Sequence, residues 1–98
     1  MIIVGGEFEV DPDERDRFLA DRHDVMRRSR NESGCLEYTF SADPLDPGRV
    51  LLYERWESQE ALDAHLSALR AGPPSSGTDV TPRAASITLY DVAGQRAL

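Results

Sequence analysis

Apolar and polar positions along this chain switch between a two-residue alternation and a helical repeat, and the switches mark out its elements. From Ile2 to Val10, the residues Ile2, Val4, Phe8 and Val10 share one parity while Glu7 and Glu9 take the other, the pattern of a strand with one buried face. Asp11-Pro12 stops this strand and opens a helix. Asp11 supplies a capping oxygen, Pro12 suits the first helical position, and Glu14 completes a capping-box-like spacing. The pattern predicts one helix running to about Asn31, with the apolar stripe Phe18, Leu19, Val25 and Met26 and with Arg22 and His23 filling its middle turn. Acidic residues (Asp13, Glu14, Asp16) fill its first turns and Arg27, Arg28 and Arg30 its last, an order that complements the helix dipole by about 0.3–1 kcal/mol per charge at best. Gly34 ends it.

Alternation resumes from Cys35 to Ala42, with Leu36, Tyr38 and Phe40 on one face. The turn Asp43-Pro44-Leu45-Asp46-Pro47-Gly48 predicts an antiparallel return along Arg49 to Glu57. That strand carries Val50, Leu52, Glu54 and Trp56 on one face and Leu51, Tyr53, Arg55 and Glu57 on the other. Ser58 caps a second helix, in which Leu62, His65, Leu66 and Leu69 fall at i, i+3, i+4 and i+7, and Gly72-Pro73-Pro74 closes it. Residues 71–83, rich in Gly, Pro, Ser and Thr, are expected to form a flexible loop. Ala85 to Val92 is expected as the last strand, and Gly94 to Leu98 as a tail.

The order strand, helix, strand, strand, helix, strand is that of the α+β, ferredoxin-like βαββαβ arrangement, with an antiparallel four-stranded sheet and both helices on one face. The third strand is bulky on both parities, so the uncovered face needs a second cover. A homodimer packing two sheets face to face is the expectation.

Composition narrows the function classes. Ninety-eight residues suit one domain, 1–98, large enough for a single core. A formal net charge of −7 argues against a nucleic-acid binder, which needs a basic stripe. Cys35 is the only cysteine, so no intrachain disulfide forms and a reducing cytoplasm is the expected setting. No segment approaches the roughly 18 apolar residues of a membrane span. Neither His23 and His65 nor Cys35 shows metal-ligand spacing, and Gly5-Gly6 lies inside a strand rather than in a nucleotide-binding loop. No metal site and no cofactor are expected.

Three segments in order, Glu32-Ser33-Gly34-Cys35-Leu36-Glu37-Tyr38, Tyr53-Glu54-Arg55-Trp56 and Glu60-Ala61-Leu62-Asp63-Ala64-His65, resemble the antibiotic biosynthesis monooxygenase domain. The resemblance covers nearly the whole chain except residues 71–83. It implies a dimeric α+β barrel, small quinol monooxygenases among its members. The implied activity is oxidation of an electron-rich phenol, hydroquinone or polyketide-type aromatic by O₂ without metal or flavin. A deprotonated dihydroxyaromatic can itself reduce dioxygen, which leaves the protein to bind, orient and stabilise charge. The fold also supports haem-degrading oxygenases, but those resembling this chain use an asparagine on the first strand, and the only Asn here is Asn31. A non-catalytic dimeric binding or stress-response module is the remaining reading, since a fold shared by many functions does not choose among them.

Each candidate residue carries two readings. His65, on the apolar stripe of the second helix, is a general base or proton shuttle, or else a structural donor to a strand or carboxylate. Glu54 shares the parity of Trp56; if buried it has a raised pKa or a partner, with His65 or an arginine as the plain choice. Trp56 either lines the pocket or anchors the core. Tyr38 would hold a substrate oxygen, Phe18 would shape the cavity, and His23 would contribute to the same cavity or remain a satisfied half-buried histidine. Tyr53, of the opposite parity, is expected to face the dimer partner. Glu32 reads as a cap on the turn before Gly34, and Cys35 as a small core residue.

Overall fold

In the computed structural model, described here for residues 1–72 and 80–98, four strands and three helices follow the order β1 (Ile2–Glu9), α1 (Arg15–Asp21), α2 (His23–Arg30), β2 (Cys35–Ala42), β3 (Arg49–Trp56), α3 (Gln59–Ala71) and β4 (Ala84–Asp91). The strands form one antiparallel sheet in the order β2-β3-β1-β4. This is the ferredoxin-like topology that the element order predicts, and the helices pack on one face. Of the expected flexible loop 71–83, Ala71 belongs to α3, and residues 73–79 lie outside the described residues.

The single helix expected over residues 11–31 is instead a short 3₁₀ turn, Pro12–Glu14, followed by α1 and α2. Asp11 caps the turn, its carboxylate accepting from the Asp13 N–H at 2.9 Å. The break falls at Arg22, whose N–H donates to the Leu19 carbonyl at 3.0 Å, a tight i−3 bond, before the α pattern resumes from Met26 to Arg22. Neither Gly nor Pro marks this position. The break instead accompanies packing: Phe18 is fully buried in the core, and Arg22, one turn later, folds back over its ring.

The second difference is in β2. A β-bulge between Cys35 and Glu37 sets Cys35 opposite Trp56 and Tyr38 opposite Glu54. Cys35 therefore packs against the core, whereas Leu36, expected beside Tyr38 and Phe40, is exposed. Side chains from α2 satisfy the outer edge of this strand. Arg30 Nε donates to the Tyr38 carbonyl at 2.9 Å, and the Phe40 N–H reaches Met26 Sδ at 3.4 Å.

Two apolar clusters fill the space between sheet and helices. One contains Ile2, Val4, Tyr38, Leu52, Trp56 and Leu62, and the other Val10, Phe18, Val50 and Val80. Phe8 and Phe40 join them, with ring centroids 5.8 Å apart. Burial of these side chains, at about 25 cal/mol per Å² of apolar surface, is the main force holding helices to sheet. Among the described residues the helix layer is incomplete over β4. Ile87 and Leu89 pair with Gly6 and Val4, so they share the helix-side face, yet they are 57% and 42% exposed. Leu66 and Leu69 of α3 are also partly exposed. Leu89 thus lies partly open beside Val4 of the first cluster.

Candidate functional site

The end of β3 begins the site. Alternation points Glu54 and Trp56 toward the helices, and both are buried, at 6% and 0% exposure. Indole N–H can only donate, and here it donates to Glu54 Oε1 at 2.9 Å. Burial raises the Glu54 pKa above the ordinary carboxylate range; the indole hydrogen bond and nearby His65 oppose that shift, and Glu32 adds to it.

Ser58 then starts α3, its hydroxyl accepting from the Ala61 N–H at 3.1 Å. Leu62 and His65, one turn apart, consequently face the sheet, and both are buried. The imidazole centroid lies 4.6 Å from the Trp56 ring and 5.2 Å from the Tyr38 ring. The expected Glu54–His65 pairing does not occur. His65 Nδ1 lies 2.6 Å from Glu32 Oε1 instead.

Glu32 is the residue that pattern reading underrated. It lies in the turn between α2 and β2, where Gly34 adopts φ 82°. A Cβ at Gly34 would approach the Ala61 Cβ to 2.5 Å, so only glycine lets this turn lie against the start of α3. The Glu57 N–H closes the arrangement by donating to the Gly34 carbonyl at 2.9 Å. Side-chain periodicity carries no signal for such a turn; the glycine itself was the readable clue.

Glu32 Oε1 is in hydrogen-bonding reach of Nδ1, and in the tautomer that carries its proton on Nδ1 the ring presents its other nitrogen, Nε2, as an acceptor. Tyr38 stands beside it, its phenol pushed well above the usual tyrosine range by burial and by Glu54, with Arg22 opposing. Tyr38 therefore stays protonated and can donate a hydrogen bond.

The structure brings together His65, Glu54, Trp56 and Tyr38. Phe18 lies in the second cluster, linked to them through Phe40 at 6.5 Å. His23 is exposed at the start of α2 and does not join them, because the break at Arg22 turns the α2 sequence onto a new face. Cys35 has its thiol pKa raised by burial and by Glu32, which keeps it unreactive. A surface hollow of about 410 Å³ lies away from this group at the β2 edge, lined by Arg30, Cys35, Leu36, Glu37 and Thr39. Among the described residues no group of three or more His, Cys, Asp or Glu is placed to hold a metal ion, and no helix is long and apolar enough to cross a membrane.

The family model for antibiotic biosynthesis monooxygenase matches residues 1–70. An uncharacterised Synechocystis protein, sll1783, is 30% identical over 98 residues, which span 99% of this chain and 67% of that protein. A Deinococcus radiodurans structure provisionally assigned as an antibiotic biosynthesis monooxygenase superposes with a TM-score of 0.78 at 20% identity, covering 100% of this chain and 98% of that one. The haem degrader MhuD of Mycobacterium tuberculosis, with two haems in its active site, shares the fold at a TM-score of 0.73 and 18% identity, covering 99% and 100% of the two chains. On the match over residues 1–70, this chain belongs to the antibiotic biosynthesis monooxygenase family.

Proposed function

We propose that this protein is a cofactor-independent monooxygenase acting on a phenolic, hydroquinone or polyketide-type aromatic, as a cytoplasmic homodimer. The observation that carries the reading is the pair of buried His65 with part-buried Glu32, set against the rings of Trp56 and Tyr38. In this reading His65 Nε2 removes the phenolic proton and Tyr38 donates to an oxygen substituent. Trp56 forms the back wall, and Glu54 accepts or returns a proton as charge develops. The electron-rich anion gives one electron to O₂, and the resulting radicals combine at a ring carbon. Loss of water then leaves a carbonyl. One oxygen atom enters the ring in place of two hydrogens and the other leaves as water, so the four electrons taken up by O₂ are balanced without an external reductant.

The test is O₂ uptake in the presence of a panel of hydroquinones and anthrones. Turnover above the buffer rate supports the reading, and none across the panel removes it. A non-catalytic binding module predicts instead that His65→Ala alters affinity or stability while no rate exists to lose. Haem degradation has one observation in its favour, the fold shared with a protein that holds two haems. Against it, β1 contains no Asn. Haemin titration without a Soret shift would eliminate it.

A further inference from the structure

Arg22 is the half-buried cation of the helix layer for which the proposed chemistry has no use. Its guanidinium carbon lies 4.1 Å from the centroid of the Phe18 ring and 5.9 Å from that of Phe40. Among the described residues no hydrogen bond or ion pair engages this guanidinium, whereas those of Arg15, Arg17, Arg27 and Arg30 each have a partner. The neighbouring Asp21 carboxylate acts on the guanidinium electrostatically without a hydrogen bond or ion pair to it, and Asp21 Oδ2 is itself buried without a hydrogen-bond partner. A guanidinium stacked on an aromatic face is held flat, with its edge donors directed away from the ring, the geometry that receives a carboxylate on two N–H groups. The edge donors of Arg22 are open to solvent and free of a protein partner among the described residues, and a carboxylate that accepts from two of them forms a charge-assisted bidentate pair.

The position of Arg22 gives it a place in the site. Phe18 meets Phe40 at 6.5 Å, Phe40 meets Tyr38 at 5.9 Å, and Tyr38 meets His65 at 5.2 Å. This unbroken series of rings leads from the guanidinium to the imidazole. Tyr38, in its middle, is influenced electrostatically by both Arg22 and Glu54. We infer that Arg22 anchors an anionic oxygen of the substrate, and that the site selects an elongated aromatic acid whose carboxylate lies at the opposite end from the hydroxyl presented to His65. The inference rests on the proposed reading for the position of the reacting hydroxyl, but its own signature is binding and does not require turnover.

The test compares 6-hydroxy-2-naphthoate with its methyl ester, which has nearly the same shape without the charge, by titration calorimetry. A charge-assisted pair of hydrogen bonds to the carboxylate predicts that the acid binds about tenfold or more tightly than the ester. Arg22→Met should bring that ratio close to one. Arg22→Lys, which keeps the charge but lacks the planar fork, should give an intermediate ratio, and it replaces Arg22→Met if circular dichroism shows that variant to be unfolded. Equal affinities in the unsubstituted protein, no saturable binding of either compound, or a ratio unmoved by both substitutions overturns the anchor. Haemin carries the same group on a much larger ring. Arg22-dependent haemin binding without an acid-over-ester preference would assign the guanidinium to a porphyrin and overturn the small-acid class. Acid selectivity without O₂ uptake by any hydroquinone leaves the anchor standing and sinks the monooxygenase reading, while uptake without selectivity does the reverse.

Discussion

At the scale of single residues, the site consists of two carboxylates given different work by their surroundings. Glu32 is partly exposed and holds His65, while Glu54 is buried and holds the indole of Trp56. Parity along β3 made Glu54 and Trp56 legible as one face, and the helical stripe did the same for His65. The choice of carboxylate for His65 was not legible, because it depends on a turn from a distant part of the chain. A sign can be attached to Glu54. Its folded-state pKa is raised, so the stability linked to its protonated form is fully present below the unfolded pKa, about 4.3, and is lost as pH rises through the folded value. Gln cannot titrate and retains an acceptor for the indole. Thermal melts of Glu54→Gln should therefore gain on the unsubstituted protein as pH rises from about 4 toward 7, whereas a pH-independent difference would contradict the assignment. In the proposed reading His65 is the base, and Gln approximates its volume without that function. His65→Gln should then lower kcat by about 100-fold with little change in KM. Glu32→Gln, which keeps the hydrogen bond without the charge, should cost less.

Elements carry the next level of information, and their legibility was uneven. Strand alternation and the Ser58 cap read true because each depends on neighbours within one or two turns. The break at Arg22 and the bulge at Cys35–Glu37 did not, since neither has a Gly or Pro signature and both follow from what packs beneath them: Phe18 in one case, Trp56 and Glu54 in the other. The bulge has a structural consequence: Tyr38 stands opposite Glu54, with its ring 5.2 Å from that of His65. Two substitutions test the joint between the α2–β2 turn and α3. Ser58→Ala removes a cap and should cost about 1 kcal/mol in urea unfolding. Gly34→Ala must bear a positive φ and a Cβ only 2.5 Å from that of Ala61, so its cost should exceed that of Ser58→Ala, at about 2–4 kcal/mol. It should also displace Glu32 from His65 and lower activity in whatever fraction remains folded. Equal costs for the two substitutions would mean that the turn does not dock as described.

For the whole molecule, the sheet has a second face that the helices never reach. Ile3, Leu51, Tyr53, Arg55 and Tyr90 lie on it by register, with Tyr53 and Tyr90 44% and 54% exposed. Alternation in β3 showed from the sequence that this face would be apolar, and the topology agrees; a partner chain is the cover we propose. Tyr53→Asp together with Leu51→Arg should convert a dimer to a monomer in sedimentation velocity at micromolar concentration, and an unchanged sedimentation coefficient would remove the face-to-face assembly. The incomplete helix layer over β4 was invisible in the sequence, because Ile87 and Leu89 have the spacing of ordinary buried strand residues. The most direct test of the proposed chemistry is turnover of a hydroquinone or anthrone under ¹⁸O₂, with mass spectrometry of the product. The account predicts one labelled oxygen in the quinone and one in water, with the rate falling about 100-fold in His65→Gln. A quinone free of label, or incorporation that is indifferent to His65, would contradict it.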